Sequence, residues 1–161
     1  MVSFRQKISK NAVKDNKYLQ IIIDYLDELN EKLVSNIKAI LLFGSLSKGK
    51  EKPFETAESD VDLLVLSEEL PPMRNRVHIL RELQADPRVR SLLYTFNEIE
   101  NSLTSSGIIM DALADGIILY DPEKILNKLR EKFKEELSKK GIKRTPEGWF
   151  RDIKIGEIVE L

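Results

Sequence analysis

Two stretches of this sequence decide its fold: Leu41-Leu42-Phe43-Gly44-Ser45 and, after fourteen intervening residues, Asp60-Val61-Asp62-Leu63-Leu64-Val65-Leu66. The first stretch completes an almost continuous apolar run over 37–43, which has the length of a strand. Because such runs are typical of strands buried on both faces, we predict a strand here and a second one over 60–67. The polar residues 47–59, which include a glycine and a proline, predict a loop between the two strands.

The sequence on either side of these stretches predicts alternating helices and strands. Apolar residues that recur at steps of three and four predict an amphipathic helix over 13–34. Similar patterns and turn signals predict further helices over 71–85, 97–103 and 108–114, and further strands over 89–96 and 117–120. Because the connections are short, we predict an α/β (α+β) fold with a small mixed β-sheet flanked by helices.

The C-terminal quarter of the sequence predicts one more helix and a short β tail. Asp121-Pro122-Glu123 combines a capping oxygen, a proline suited to the first turn and an acid that favours the helix dipole. The helix is expected to end at Gly141, and residues 149–161 alternate as in a short strand or hairpin. We assign residues 1–121 to the main domain and 122–161 to a C-terminal helix and tail that pack on it or extend it.

Composition excludes several classes of protein. The 161 residues suit one domain, and 26 basic against 27 acidic residues give a net charge of −1, so nucleic acid is not an expected partner. The sequence contains no cysteine and one histidine, which excludes disulfide frameworks, thiolate nucleophiles and histidine-rich metal sites. No apolar run reaches the ~18 residues of a membrane span, so we expect a cytoplasmic protein without membrane contact.

The pair Asp60 and Asp62 is the strongest chemical signal in the sequence. Residues two apart in a strand point to the same face, so the two carboxylates are expected side by side. At an effective dielectric constant of ~20, their repulsion across ~6 Å costs about 3 kcal/mol, and a divalent cation would reverse its sign. Mg²⁺ prefers one or two carboxylates together with substrate phosphates, and we predict that Asp60 and Asp62 bind it. The alternative is a solvated pair of acids at an exposed strand start.

A phosphate site is predicted at the end of the preceding strand. Gly44 allows a sharp turn and the close approach of a ligand to the backbone. Ser45 can cap a short helix whose free N–H groups bind phosphate oxygens, and Lys48 can add a positive charge. Taken alone, the Gly-Ser pair favours an ordinary turn. Beside the acidic pair, it predicts a bound nucleotide.

This arrangement resembles the nucleotidyltransferase superfamily that includes the β-type DNA polymerases. It is most similar to the minimal nucleotidyltransferases that occur with HEPN-type partner proteins. Their signature is Gly-Ser, a spacer and Asp-x-Asp after a hydrophobic strand, which Gly44, Ser45, Asp60 and Asp62 match position by position. Lys48 stands where many members carry arginine, and the spacer here is longer than usual. The resemblance covers residues 33–121, which implies a nucleotidyltransferase domain within 1–121.

The resemblance implies that a nucleoside monophosphate moves from a nucleoside triphosphate, with ATP expected, to a hydroxyl acceptor, for instance one on a HEPN-type partner. It also implies two Mg²⁺ ions and a third carboxylate on the third strand. No acid occurs in residues 89–96, and Glu98 is the nearest substitute. Its position favours an ordinary acid in the first turn of a helix over a catalytic one. The alternative function is a catalytically weak nucleotide-binding or antitoxin-type module, and the sequence leaves a homo-oligomer open.

Overall fold

The four predicted strands form one sheet, and helices cover both of its faces. The computed structural model describes residues 3–151, and the predicted continuation of the β tail over 152–161 lies outside the described residues. The helices are α1 (Asn16–Lys32), α2 (Met73–Arg81), α3 (Phe96–Glu100), α4 (Gly107–Asp115) and α5 (Ile125–Lys140). The strands are β1 (Ile37–Phe43), β2 (Val61–Ser67), β3 (Val89–Tyr94), β4 (Ile117–Tyr120), β5 (Ile142–Thr145) and β6 (Gly148–Arg151). Two short 3₁₀ helices, Leu46–Lys48 and Phe54–Thr56, lie between β1 and β2.

The sheet is mixed and has the order β3-β2-β1-β4. Strand β1 pairs antiparallel with both β2 and β4, whereas β2 pairs parallel with β3. Strands β1 and β2 are therefore the two central strands, which explains why their sequences are apolar almost throughout. The predicted α/β fold with a small mixed sheet is confirmed.

Alternate residues of β1 pack into two separate hydrophobic cores. Ile40 and Leu42 lie in the core that contains the apolar face of α1, and Ala39 and Leu41 lie in the core that contains α4 and α5. This division follows from the two-residue period of a strand. Both faces of β1 are covered, and the predicted site begins where the chain turns after the end of this strand.

Helices α1 and α2 are shorter than the sequence predicts, for identifiable reasons. Helix α1 begins at Asn16 because the carboxylate of Asp15 accepts a hydrogen bond from the backbone N–H of Lys17. Helix α2 ends at Arg81, four residues before the predicted end. The carboxylate of Glu28 on α1 accepts hydrogen bonds from the backbone N–H groups of Gln84 and Ala85, which therefore do not continue the helix.

The C-terminal helix packs on the sheet, and its first turn differs from the prediction. Helix α5 begins at Ile125, and the Asp121 carboxylate accepts hydrogen bonds from the N–H groups of Ile125 and Leu126. Asp121 therefore caps the helix from four residues upstream. Gly141 ends it in the left-handed conformation, as predicted, and β5 and β6 follow as an antiparallel hairpin. Within residues 3–151, we find no helix with the length and apolar character needed to cross a bilayer.

Candidate functional site

The carboxylates of Asp60 and Asp62 converge at the edge of the sheet. Asp62 is the second residue of β2, and Asp60 immediately precedes that strand. Both accept hydrogen bonds from Arg90 Nη2, which lies 3.0 Å from Asp60 Oδ2 and 3.3 Å from Asp62 Oδ1. One cationic nitrogen thus lies between the two acids. The structure brings the predicted pair together around one cationic group.

Gly44 lies directly against this pair. The antiparallel register of β1 and β2 places Phe43 opposite Asp62, so the turn after Phe43 passes beside the Asp62 side chain. Gly44 has φ +81°, and a Cβ atom built on it would lie 2.6 Å from Asp62 Oδ2. A side chain at position 44 would therefore be strained by its backbone and would displace a carboxylate. The predicted proximity of turn and acids holds in the structure.

Ser45 does not cap the short helix that follows it. Its φ and ψ of −61° and −39° are helical, and its side chain makes no capping hydrogen bond to Leu46–Lys48. The predicted cap is wrong because a capping side chain needs an extended backbone at that position. Instead, the Ser45 carbonyl accepts hydrogen bonds from the N–H groups of Lys48 and Lys50, and these bonds shape the turn.

Lys48 lies in the same cavity as Gly44 and Asp62. The cavity has a volume of about 210 Å³, and its other lining residues are Phe43, Ile108, Asp111 and Asp115. Lys48 Nζ lies 3.7 Å from Asp115 Oδ2, so the lysine has an acidic partner in this structure. A phosphate entering the cavity would meet the ammonium group of Lys48 beside the glycine turn.

Two acids of α4 line this cavity although the sequence analysis did not assign them. Asp111 and Asp115 are four residues apart and therefore share a helix face, which is the signal that could have found them. Arg144 of the C-terminal hairpin donates hydrogen bonds to both carboxylates, at 2.9 Å to Asp111 and 2.7 Å to Asp115. The indole of Trp149 also donates to Asp111. The hairpin thus supplies a positive charge to the two additional acids of the cavity.

Arg90 is the other residue that the sequence analysis missed. Strands β2 and β3 run parallel, and their register places Arg90 opposite Asp62. Arg90 therefore lies beside the acidic pair on the third strand, the strand on which the family resemblance implies a carboxylate. No local pattern in the sequence identifies its partners, because the contact depends on the register between two strands.

The structure does not bring Glu98 to the acidic pair. Glu98 follows the far end of β3, where it forms a capping box with Thr95. Arg76 Nη1 donates to both of its carboxylate oxygens, at 2.9 and 3.0 Å. Burial alone would raise the pKa of Glu98, but the hydrogen bonds from Arg76 and Thr95 outweigh it and lower that pKa. The expectation that Glu98 reaches the pair is corrected: its contacts are those of a structural ion pair.

The pKa of Asp62 stays raised although Arg90 lies beside it. Partial burial raises the pKa of Asp62 above its ordinary value, although Arg90 opposes the shift, and Asp60 adds to it by repulsion. Among residues 3–151, no three acidic or histidine side chains lie close enough to hold one ion. The donor set is thus two carboxylates, which fits Mg²⁺ if phosphate and water oxygens complete its shell.

Comparison with known proteins identifies the family. The family model described as polymerase beta, nucleotidyltransferase, matches residues 20–125, which is more than half of the chain. No curated protein matches the sequence significantly. A crystal structure of a toxin–antitoxin with AMP-PNP superposes with a TM-score of 0.50 at 16% identity, covering 79% of this chain and 89% of that one.

A second solved structure is more distant. It is a tri-AMPylated Shewanella oneidensis HEPN toxin in complex with an MNT antitoxin, with a TM-score of 0.43 and 16% identity over 77% of this chain and 83% of that one. The fold of this protein is the nucleotidyltransferase fold. Together with the matched family model, the sheet, the glycine turn and the acidic pair establish that the chain belongs to the polymerase beta nucleotidyltransferase family.

Proposed function

We propose that this protein is a Mg²⁺-dependent nucleotidyltransferase that moves a nucleoside monophosphate from ATP to a hydroxyl group of a HEPN-type partner protein. The observation that carries the proposal is the convergence of Asp60 and Asp62 on one cationic nitrogen beside the Gly44 turn. Family membership supports the class of reaction. The choice of ATP and of the partner rests on the resemblance of the sequence to minimal nucleotidyltransferases.

The transfer exchanges one bond at the α-phosphorus for another. The acceptor oxygen attacks this phosphorus, and the bond to the oxygen that bridges to the β-phosphorus breaks, so that pyrophosphate leaves. Asp60 and Asp62 would hold Mg²⁺, which when bound stabilises negative charge on the reacting oxygens. The side chain of Asp60 is 55% exposed and that of Asp62 is 27% exposed. Asp60 is therefore the acid nearer to the incoming acceptor, and the proton of the acceptor hydroxyl passes to solvent water.

The remaining cavity residues have roles in binding. Gly44 lets the turn lie directly against Asp62, so that phosphates bound at this turn would lie close to an ion held by the acidic pair. Lys48 exchanges its contact with Asp115 for the phosphates of the nucleotide. The ion pairs of Arg144 keep Asp111 and Asp115 from repelling that anionic group.

A second candidate function is nucleotide binding without turnover, in a regulatory or antitoxin-type module. The observation that favours it is the identity of the residue opposite Asp62, which is Arg90 instead of an acid. Glu98 cannot substitute for that acid in the observed arrangement, because Arg76 and Thr95 engage its carboxylate.

The two functions are separated by ATP labelled at its α-phosphate. The protein is incubated with labelled ATP and Mg²⁺, alone and with a HEPN-type protein of the same cell, and both protein labelling and pyrophosphate release are measured. We expect labelling that is lost in Asp62→Asn and kept in Asp24→Asn, a matched change on the exposed face of α1. Binding of AMP-PNP without pyrophosphate release supports the module. Absence of both binding and release refutes both candidates.

A further inference from the structure

The three arginines around β3 are held in different ways. The side chain of Arg76 is 8% exposed and donates to the carbonyl oxygens of Pro71 and Leu93 as well as to Glu98. Arg88, at 13% exposure, donates to the Phe54 carbonyl and to Asp86. Both side chains are fixed by main-chain acceptors.

Arg90 lacks such fixation. Its side chain is 63% exposed, and its hydrogen bonds within the described part of the chain are those to Asp60 and Asp62. A long, exposed side chain without packing can leave its position at little cost when a competing charge arrives. Arg90 is therefore a movable cation at the acidic pair.

The position of Arg90 coincides with the one that a metal ion needs. Its Nη2 atom uses one oxygen of each carboxylate, Asp60 Oδ2 and Asp62 Oδ1, and lies between the two groups that would hold a shared ion. An ion at the ~2.0–2.1 Å distance of Mg²⁺–oxygen bonds would bring two positive charges into contact if the guanidinium stayed in place. The metal and the guanidinium therefore compete for the pair.

We propose that Arg90 is the resident counter-ion of Asp60 and Asp62, that it opposes binding of a bare divalent ion, and that it moves to the nucleotide phosphates when metal and nucleotide bind together. This inference rests on the proposed function for its nucleotide step. A guanidinium group forms paired hydrogen bonds with phosphate oxygens, so the nucleotide offers Arg90 a new partner and a bare ion does not. As a consequence, the protein binds the metal ion more tightly when the nucleotide is present than when it is absent.

The first arm of the test uses Mn²⁺ alone, detected by electron paramagnetic resonance, without nucleotide. We expect Arg90→Gln to bind Mn²⁺ about tenfold more tightly than the native protein, because it removes two partly exposed ion pairs that compete with the metal. The matched control is Arg74→Gln, an exposed arginine of α2, which should leave the affinity unchanged. The double variant Asp62→Asn/Arg90→Gln should lose the gain, which places the ion at the pair.

The second arm measures binding of AMP-PNP with Mg²⁺ by calorimetry. Here the expected effect of Arg90→Gln is opposite, an approximately tenfold loss of affinity, since the phosphates lose a charge-assisted partner. Thermal melting of each variant checks that it is folded.

Three results would overturn the proposal or part of it. An unchanged Mn²⁺ affinity in Arg90→Gln, or no Mn²⁺ binding by any variant, refutes the counter-ion role. Tighter Mn²⁺ binding with unchanged AMP-PNP binding refutes the move to phosphate. Tighter Mn²⁺ binding in a protein that binds no AMP-PNP supports the counter-ion role and refutes the proposed function, so the two failures are distinguishable.

Discussion

Gly44 and Asp62 approach each other so closely that the glycine has no room for a side chain. A Cβ atom at position 44 would lie 2.6 Å from Asp62 Oδ2, and the turn has φ +81°. The last residue of β1 is paired with Asp62, so the Gly44 turn and the acidic pair are held at a fixed separation by the register of the two central strands. This relationship brings together two motifs that are far apart in sequence.

Replacing Gly44 by alanine should therefore damage both stability and binding. The left-handed backbone alone costs roughly 1–2 kcal/mol for an alanine, and contact with Asp62 adds to it. The matched control is Gly49→Ala, because Gly49 also has a positive φ, +67°, but no atom lies within 4 Å of its Cβ position. Chemical denaturation should show a larger loss for Gly44→Ala than for Gly49→Ala, and AMP-PNP affinity should fall only in the former. Equal losses in both variants would contradict the close approach.

The Arg76–Glu98 pair should make stability depend on pH. Because the pKa of Glu98 is lowered in the folded state, its contribution is complete above the ordinary glutamate pKa and is lost as pH falls through the lowered value. Glu98→Gln should cost about 1–2 kcal/mol at pH 7, less than a fully buried pair, because the Glu98 side chain is 37% exposed. Denaturation of both proteins at pH 7 and near pH 3 measures the difference, which should shrink at low pH.

The same variant tests whether Glu98 contributes to binding of the nucleotide and its metal ion. Since its carboxylate is engaged by Arg76 and Thr95, Glu98→Gln should bind AMP-PNP with Mg²⁺ as well as the native protein does. Asp62→Asn, measured beside it, should lose that binding. Loss of binding in both variants would restore Glu98 as a site residue.

Arg144 should anchor the C-terminal hairpin to α4. Its guanidinium bonds to Asp111 and Asp115, and it holds the pKa of Asp115 below the ordinary value. Arg144→Gln should cost about 1 kcal/mol of stability, as expected for partly exposed pairs, and should speed amide hydrogen exchange over 142–151. Lys139→Gln removes the same charge from an exposed position of α5 and should leave exchange in the hairpin unchanged. Unaltered exchange in Arg144→Gln would show that other contacts hold the hairpin.

Arg90→Glu should create a metal-dependent protein. The new carboxylate would lie opposite Asp62 on the neighbouring strand and beside Asp60, so three acids would repel one another without a cation. We expect a lower melting temperature without divalent ions and its recovery on addition of Mg²⁺, since ligand binding to the folded state adds stability. Arg74→Glu should show no such recovery. If Mg²⁺ has no effect on Arg90→Glu, the acids do not share a site.

The sequence by itself determined the local elements and the two motifs. The apolar run of β1 could be recognised because both faces of a central strand are buried, and the acids of Asp60 and Asp62 could be placed on one face because a strand has a period of two. Gly44 and Gly141 could be assigned to turns because the required backbone conformations favour glycine. These properties depend on neighbouring residues, so they can be read along the chain.

Only the tertiary structure decided which distant residues complete the site. Arg90 faces Asp62 through the parallel register of β2 and β3, and Arg144 reaches Asp115 because the hairpin folds back onto α4. In the same way, Glu98 forms an ion pair with Arg76 and does not lie near Asp60 and Asp62, for which the sequence made it a candidate third acid. Side chains separated by many residues meet through strand register and the packing of helices on the sheet. Neither can be predicted from a local sequence pattern, because both depend on contacts between distant parts of the chain.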